Sequence, residues 1–427
     1  MQLTKLTFEN YKAFKEPQEF RIKPITFVIG KNSSGKSVVS RLPKLLAGAL
    51  ASDAMSPIQT QYDRIYFGEN FRDLIHNKIE HGKVILGATF EDDDNKRTVL
   101  KAKIQQFAGT PFHFVSNFEL KSENGLNFQL EWEGLTDKPP SLQRYNIKEE
   151  NITNEENELF VVFTGILPEK LTDLNYKNIM PDDLVSLKQD IRNAVRNIRY
   201  IGPIRGLPRP RYKYKSSRPS HPGENEESVY HILGLDEYAK GDIAEKVGAW
   251  YSENLGGWRL DIVRSGDEFE IVLISPDDPA VKVNLTSVGS GMSQVLPFVV
   301  RSFMEPEKKG GIEIFEQPEL HLHPDAHGSL AELLVHTAKK QQSRFIIETH
   351  SENMILRVRR LIVNGVIDSN DVIVYWVDDE ERPGSKLKPI HIDEDGELDD
   401  WPEGVFSEDY EEMIAIREAQ RRKAGKE

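Results

Sequence analysis

The chain of 427 residues has no cysteine. That excludes disulfides, thiolate nucleophiles and zinc held by cysteine, and it fits a reducing compartment. Long apolar runs are also missing. The longest, such as LPKLLAGALA at 42–51, falls far short of the roughly 18 residues that cross a bilayer. The opening MQLTKLTFENYKAF alternates charged and apolar types and lacks the apolar core of a secretory signal, so a cytoplasmic chain with no membrane partner is expected. Basic residues are outnumbered: 55 Lys and Arg face 69 Asp and Glu, a formal net charge of −14. A globally basic nucleic-acid binder is disfavoured, while a local basic patch stays compatible. What remains is a globular balance, 38% hydrophobic and 29% charged, with length for two or three structural units.

Apolar alternation over Leu3–Phe8, the short segment Phe20–Ile22 and a continuous buried run at Ile25–Ile29 predict three strands. A glycine-rich turn and an apolar helix reaching about Leu50 follow, with a kink expected at Pro43. Lys83–Phe90, Lys101–Phe107 and Phe112–Leu120 read as antiparallel strands. The stretch 124–158, with KPPS at 138–141 and KEENITNEENE at 148–158, reads as surface insertion. An amphipathic helix follows Met180, with Leu184, Leu187, Ile191, Val195 and Ile198 on one face, and a second helical region covers 228–255. Three short strands are expected between 259 and 285. The last third alternates helix and apolar strand, which implies a mainly parallel, helix-covered sheet. The fold class expected is α/β: a P-loop sheet core, an N-terminal antiparallel β region and an inserted α+β subdomain. The corresponding units are 1–90, 91–200 and 201–427.

GKNSSGKS at 30–37 fits G-x-x-x-x-G-K-[ST] in full, between a buried strand and an apolar helix. Gly30 and Gly35 let the backbone amides, with those of Asn32 and Ser33, surround phosphates. Lys36 would neutralise β- and γ-phosphate, and the Ser37 hydroxyl would ligate Mg²⁺. ATP with Mg²⁺ is therefore the expected cofactor pair. Such a loop needs a carboxylate at the end of a buried strand, and GIEIFE at 311–316 ends on Glu316.

FEQPELHLHP at 315–324, ETHSE at 348–352 and VGSGMSQVLP at 288–297 together resemble the RecF-like and OLD-like ATPases, relatives of ABC transporter and SMC-type repair ATPases. The closest look is to stand-alone members found in bacterial anti-phage defence systems. GENFRDLIHN at 68–77, YIGPIRG at 200–206 and DGELDDWPEGVF at 395–406 share in it, whereas the 91–180 insertion does not. The resemblance implies an ABC-type ATPase with Glu316, Gln317 and His350 as its catalytic set. In that class a glutamate orients the attacking water where this chain has Gln317. An amide cannot accept a proton as general base, so slow hydrolysis is expected, with Glu319 a possible substitute carboxylate. Ser290, Gly291 and Ser293 resemble the signature segment that contacts γ-phosphate on the opposite subunit. Because the spacing departs by one residue, either serine can take the family's role. His350 corresponds to the switch histidine. One P-loop and one signature per chain imply a head-to-tail homodimer or higher homo-oligomer around two ATPs.

His321, His323 and His327 have metal-like spacing but occupy the loop that the resemblance turns toward the partner subunit. Asp73 and His76 are candidates for approach to the cation. RGLPRPRYKYKSSRPSHP at 205–222 carries Arg205, Arg209, Arg211, Lys213, Lys215 and Arg218 with interleaved Tyr212 and Tyr214, and no acid. That composition suits phosphate contact and base stacking, or a solvated loop, or an acidic partner. The favoured expectation is the sensor or scaffold ATPase of a defence system, regulating a separate effector protein. The alternatives are a DNA-clamping repair ATPase of RecF type and, more remotely, a transporter ATPase.

Overall fold

The computed structural model describes the chain apart from residues 55, 81, 108–109, 111, 135–142, 150–157, 173–177, 307–308, 380–383, 401–413, 418 and 421–427. The calls at 138–141, 150–157 and 401–406 lie outside the described residues.

A six-stranded sheet forms the centre. Its order is Ile198–Ile201, Ile312–Glu316, Arg344–Glu348, Ile25–Gly30, Val372–Asp378 and Lys386–Ile390. All pairings are parallel except the last, which is antiparallel. The inner strands are apolar on both faces because each face is covered. Ile25, Phe27, Ile29, Phe315, Phe345 and Ile347 join one buried cluster, and Val28, Ile314 and Ile346 join the other. Successive side chains of a strand point to opposite faces, so this sheet is the wall between two cores.

The first core is completed by a nine-stranded antiparallel sheet. It runs from Gln18–Arg21 through Gln2–Glu9, Lys83–Glu91, Arg97–Gln106 and His113–Ser122 to Asn127–Trp132, Gln143–Glu149, Glu158–Thr164 and Leu167–Thr172. Two expectations change here. The stretch after 124 adds strands to this sheet rather than forming only surface loop, because Phe128, Leu130, Tyr145 and Ile147 alternate inward and are buried. The boundary placed at residue 90 falls within Lys83–Glu91, which pairs with Gln2–Glu9 on one side and Arg97–Gln106 on the other. The far end of the sheet returns to the helix Leu42–Leu50: Gly165 N–H donates to Ala54 O at 3.0 Å and Ile166 N–H to Ala49 O at 2.9 Å. Gly165 has φ +61°, and a Cβ there would lie 1.9 Å from Ala49 O, so only glycine permits this approach.

The helix after the P-loop is two helices, Lys36–Ser40 and Leu42–Leu50. The interruption is the kink expected at Pro43, which lacks the N–H and whose ring opposes the carbonyl four residues back, while Arg41 between the two helices keeps helical φ −84° and ψ −7°. The helix Asp182–Arg196 buries Leu184, Ile191 and Val195, as its periodicity predicts. Ile198 instead begins the edge strand beside the acidic strand. On the second core lie the helices Ser228–Tyr238 and Ile243–Asn254, a small antiparallel sheet spanning 212–284, and the helices Leu296–Phe303, Pro324–Gln341 and Glu352–Val363. Among the described residues no helix is long and apolar enough to cross a membrane.

Candidate functional site

Four carboxyl ends of the parallel strands converge on the P-loop. Gly30 leaves its strand at φ +154° and Gly35 enters the first helix at φ +114°; Cβ atoms there would crowd Val377 O and the Phe14 ring. Asn32 and Ser33 are exposed, while Ser34 and Lys36 are buried. The Lys36 ammonium is folded onto the loop itself, donating to Gly30 O at 2.9 Å and Lys31 O at 2.7 Å. Burial pushes its pKa below the usual lysine range, and Glu348 partly offsets this. Ser34 Oγ is buried without a hydrogen-bond partner among the described residues, next to the turn at Gly30. An unpaired hydroxyl and an inward ammonium suit a loop that closes around phosphate.

Behind the loop stand two carboxylates from adjacent parallel strands, paired in register. Glu316 is 1% exposed. Arg41 grips it through Nε and Nη2, each at 2.6 Å, and Tyr200 OH donates to Oε2 at 2.9 Å. The break after Ser40 turns Arg41 onto this strand end. Glu348 accepts from Ser37 Oγ and Ser40 Oγ, both at 2.8 Å. Burial, then the charge of Glu316, raises its pKa above the usual carboxylate range. Mg²⁺ takes oxygen donors, and Ser37 with these carboxylates is a fitting hard-donor set.

Gln317 follows Glu316 in the left-handed region, φ +45°. Its peptide is fixed at both ends: N–H donates to Glu348 O at 2.8 Å, and Arg205 donates to the carbonyls of Glu316 and Gln317 at 2.9 and 2.7 Å. The Arg205 guanidinium also stacks 4.4 Å from the Phe298 ring centre, and burial lowers its pKa to about 10. Glu319 Oε1 accepts from His350 N–H at 2.7 Å, which ties the loop after the acidic strand to the histidine loop. Its other oxygen is buried without a partner among the described residues.

The signature segment forms the short helix Ser290–Gln294. Ser290 is exposed; Ser293 is buried and spends its hydroxyl on Ser290 O at 3.0 Å. Gly291 sits against the backbone of His321, and both border a hollow of about 620 Å³ with Trp258, Leu322 and His323. The acidic strand is also anchored from below. Glu313 is held by Arg301 at 2.7 Å and His221 at 2.9 Å, and Arg301 reaches Gln341 at 2.9 Å. Against the upward push of burial, Arg301 and His221 hold the Glu313 pKa down to about 2.

Several tempting features take local roles. Asp73 closes a capping box with Asn70 and pairs with Lys78, and His76 Nδ1 lies 2.9 Å from Lys12 O. His327 pairs with Ser351 Oγ at 2.8 Å and His323 caps its helix. No cluster of three metal-binding side chains occurs among the described residues. The basic loop is largely answered from within: Arg209 and Lys215 reach Glu227, Arg211 reaches Glu270 and Arg218 reaches Asp236. Tyr212 stacks on Tyr230 and Phe269, and Tyr214 packs on Tyr238, so neither ring stands free for a base. Sequence reasoning named Glu316 and the P-loop but gave no role to Glu348, Ser40, Arg41, Tyr200 or the carbonyl clamp of Arg205. The only signal for Glu348 was a charged residue ending an apolar strand.

Residues 246–355 match the family model described as AAA ATPase domain, a span that includes the signature, the acidic strand and His350. Residues 367–414 match one described as protein of unknown function (DUF3696). No curated protein matches. Among solved structures the chain is similar to the SMC head domain from Thermotoga maritima, at 12% identity over 92% of this chain and 100% of that one, TM-score 0.42. It is similar to an Smc head bound to the C-winged helix domain of ScpA, at 13% identity over 92% and 98%, TM-score 0.46. A third is an Smc head with an extended coiled coil bound to the C-terminal domain of ScpA, derived from Pyrococcus furiosus, at 12% identity over 98% and 99%, TM-score 0.45. The matched AAA ATPase domain and the complete P-loop lie on one mainly parallel sheet, and together they support ATPase activity.

Proposed function

We propose that the protein works as an ATP-gated head-to-tail dimer with slow turnover, serving as the sensor or scaffold ATPase of an anti-phage defence system that governs a separate effector. The observation that carries the dimer is the exposed Ser290 at the head of its short helix, while Ser293 is consumed internally. Ser290 and Gly291 of a second copy would then complete the γ-phosphate site begun by Lys36. In this reading Lys36 neutralises the β- and γ-phosphates and Ser37 with a buried carboxylate holds Mg²⁺. The metal supplies charge neutralisation at the leaving and transferring oxygens. Gln317 orients water without taking its proton, and His350 senses the γ-phosphate. Slow turnover follows from the missing base, and a long ATP-bound interval suits a switch rather than a motor.

The test is ATP turnover and solution mass of the purified chain with ATP or ADP, with Lys36→Ala as control and duplex DNA added or withheld. Slow, Lys36-dependent turnover and an ATP-dependent doubling of mass, indifferent to DNA, support the reading. Strong stimulation by DNA with steep salt dependence replaces it with the DNA-clamping alternative.

A further inference from the structure

The two carboxylates behind the P-loop are neighbours across paired strands, but their surroundings differ. Every Glu316 oxygen is engaged: both by Arg41 at 2.6 Å, Oε2 also by Tyr200 at 2.9 Å, and Oε1 by Ser40 at 3.4 Å. Its charge is matched by a guanidinium from its own chain. Among the described residues Glu348 is hydrogen-bonded by hydroxyls only, those of Ser37 and Ser40 at 2.8 Å. It also ends the strand directly beside the P-loop strand, in register with Val28, whereas the strand of Glu316 is one further out.

A divalent cation on a nucleotide needs hard oxygens whose negative charge is not already matched. Ser37 is the P-loop oxygen placed to hold it. Its proton is directed at Glu348, which leaves the hydroxyl lone pairs for the ion. We propose that Glu348, rather than Glu316, is the carboxylate that holds the ATP-bound Mg²⁺ together with Ser37, and that the Arg41–Glu316 pair is a fixed brace beneath them. This rests on the ATP-site reading of the P-loop. It inverts the roles expected from the sequence, where Glu316 was the metal carboxylate.

The experiment uses Mn²⁺ and a fluorescent ATP analogue on the full chain. Nucleotide binding is measured in EDTA and in Mn²⁺, and bound Mn²⁺ is counted by its electron paramagnetic resonance signal. Wild type is compared with Glu348→Gln, Glu348→Asp, Glu316→Gln and Lys36→Ala. Glu348→Gln is expected to keep metal-free nucleotide binding but to weaken Mn²⁺ by at least about tenfold, with Glu348→Asp restoring part of it. Glu316→Gln, which removes only the brace, is expected to weaken Mn²⁺ less than Glu348→Gln does. If Glu316→Gln fails to fold, Arg41→Met/Glu316→Gln removes both charges and takes its place. A loss of Mn²⁺ in the Glu316 variant equal to or larger than that in Glu348→Gln overturns the assignment. Lys36→Ala binding nucleotide as tightly as wild type would instead remove the ATP-site reading beneath it.

Discussion

Arg301→Met is the sharpest probe of how the acidic strand is held. Arg301 is 5% exposed and Glu313 2%, so their pairing occurs out of water. Removing the guanidinium leaves Glu313 with His221 alone and strips Gln341 of a donor. Breaking one side of a buried ion pair costs about 3–5 kcal/mol, because the remaining charge keeps its desolvation cost. Adding Glu313→Leu removes that stranded charge and should recover most of the loss, since a packed apolar pair is often neutral. Equilibrium urea unfolding at pH 7, followed by tryptophan fluorescence, measures both. The pH dependence has a fixed sign. The Glu313 pKa falls from 4.5 to about 2 on folding, so its contribution is complete above pH 4.5 and is lost as pH falls toward 2. The advantage of wild type over Glu313→Gln should be flat from pH 7 to 5 and smaller by about 2 kcal/mol at pH 3. A loss under about 1 kcal/mol in Arg301→Met, or no recovery in the double variant, would refute this account of the strand's support.

Three further outcomes are expected. Lys36→Ala should abolish ATP turnover at saturating Mg²⁺ while leaving the melting temperature of the nucleotide-free chain unchanged or higher, since a buried ammonium is removed. Gln317→Glu should raise turnover by about 10²-fold, the low end of a positioned general base, and shorten the life of any ATP-dependent dimer. Arg209→Ala/Arg211→Ala should change duplex DNA binding less than about twofold at 0.15 M salt, because both cations already face acids of this chain; a collapse of binding would favour the DNA-clamping alternative.

Period and punctuation made the central sheet readable in the sequence. Ile25–Ile29, Ile312–Phe315, Phe345–Ile347 and Val372–Val377 are almost wholly apolar because both their faces are covered, with Thr26 and Glu313 as the polar exceptions. The glycine-rich turn at 30–37 and a carboxylate at the end of the strand Ile312–Glu316 were readable as local patterns, glycines where the backbone turns and an acid closing a mostly apolar strand. Long-range pairing was not. The strand Asn127–Trp132 did carry a local signal, the alternation NFQLEW that puts Phe128 and Leu130 on the buried face, but the loop-like residues around it masked that period. Nor does the sequence show that Arg41 meets Glu316, 275 residues away, or that Ser37 meets Glu348 across 311.

The seating of the P-loop strand between Arg344–Glu348 and Val372–Asp378 has a consequence for synthesis. Val28 leaves the ribosome 320 residues before its partner Glu348. At 5–20 residues per second, that is a wait of roughly 16 to 64 s. Throughout it the apolar edge of Ile25–Ile29 has no strand on either side, while the antiparallel sheet can already zip up from Gln2–Glu9 onward. The nascent chain therefore carries its P-loop strand as an open edge until Arg344–Glu348 and Val372–Asp378 have been made to flank it.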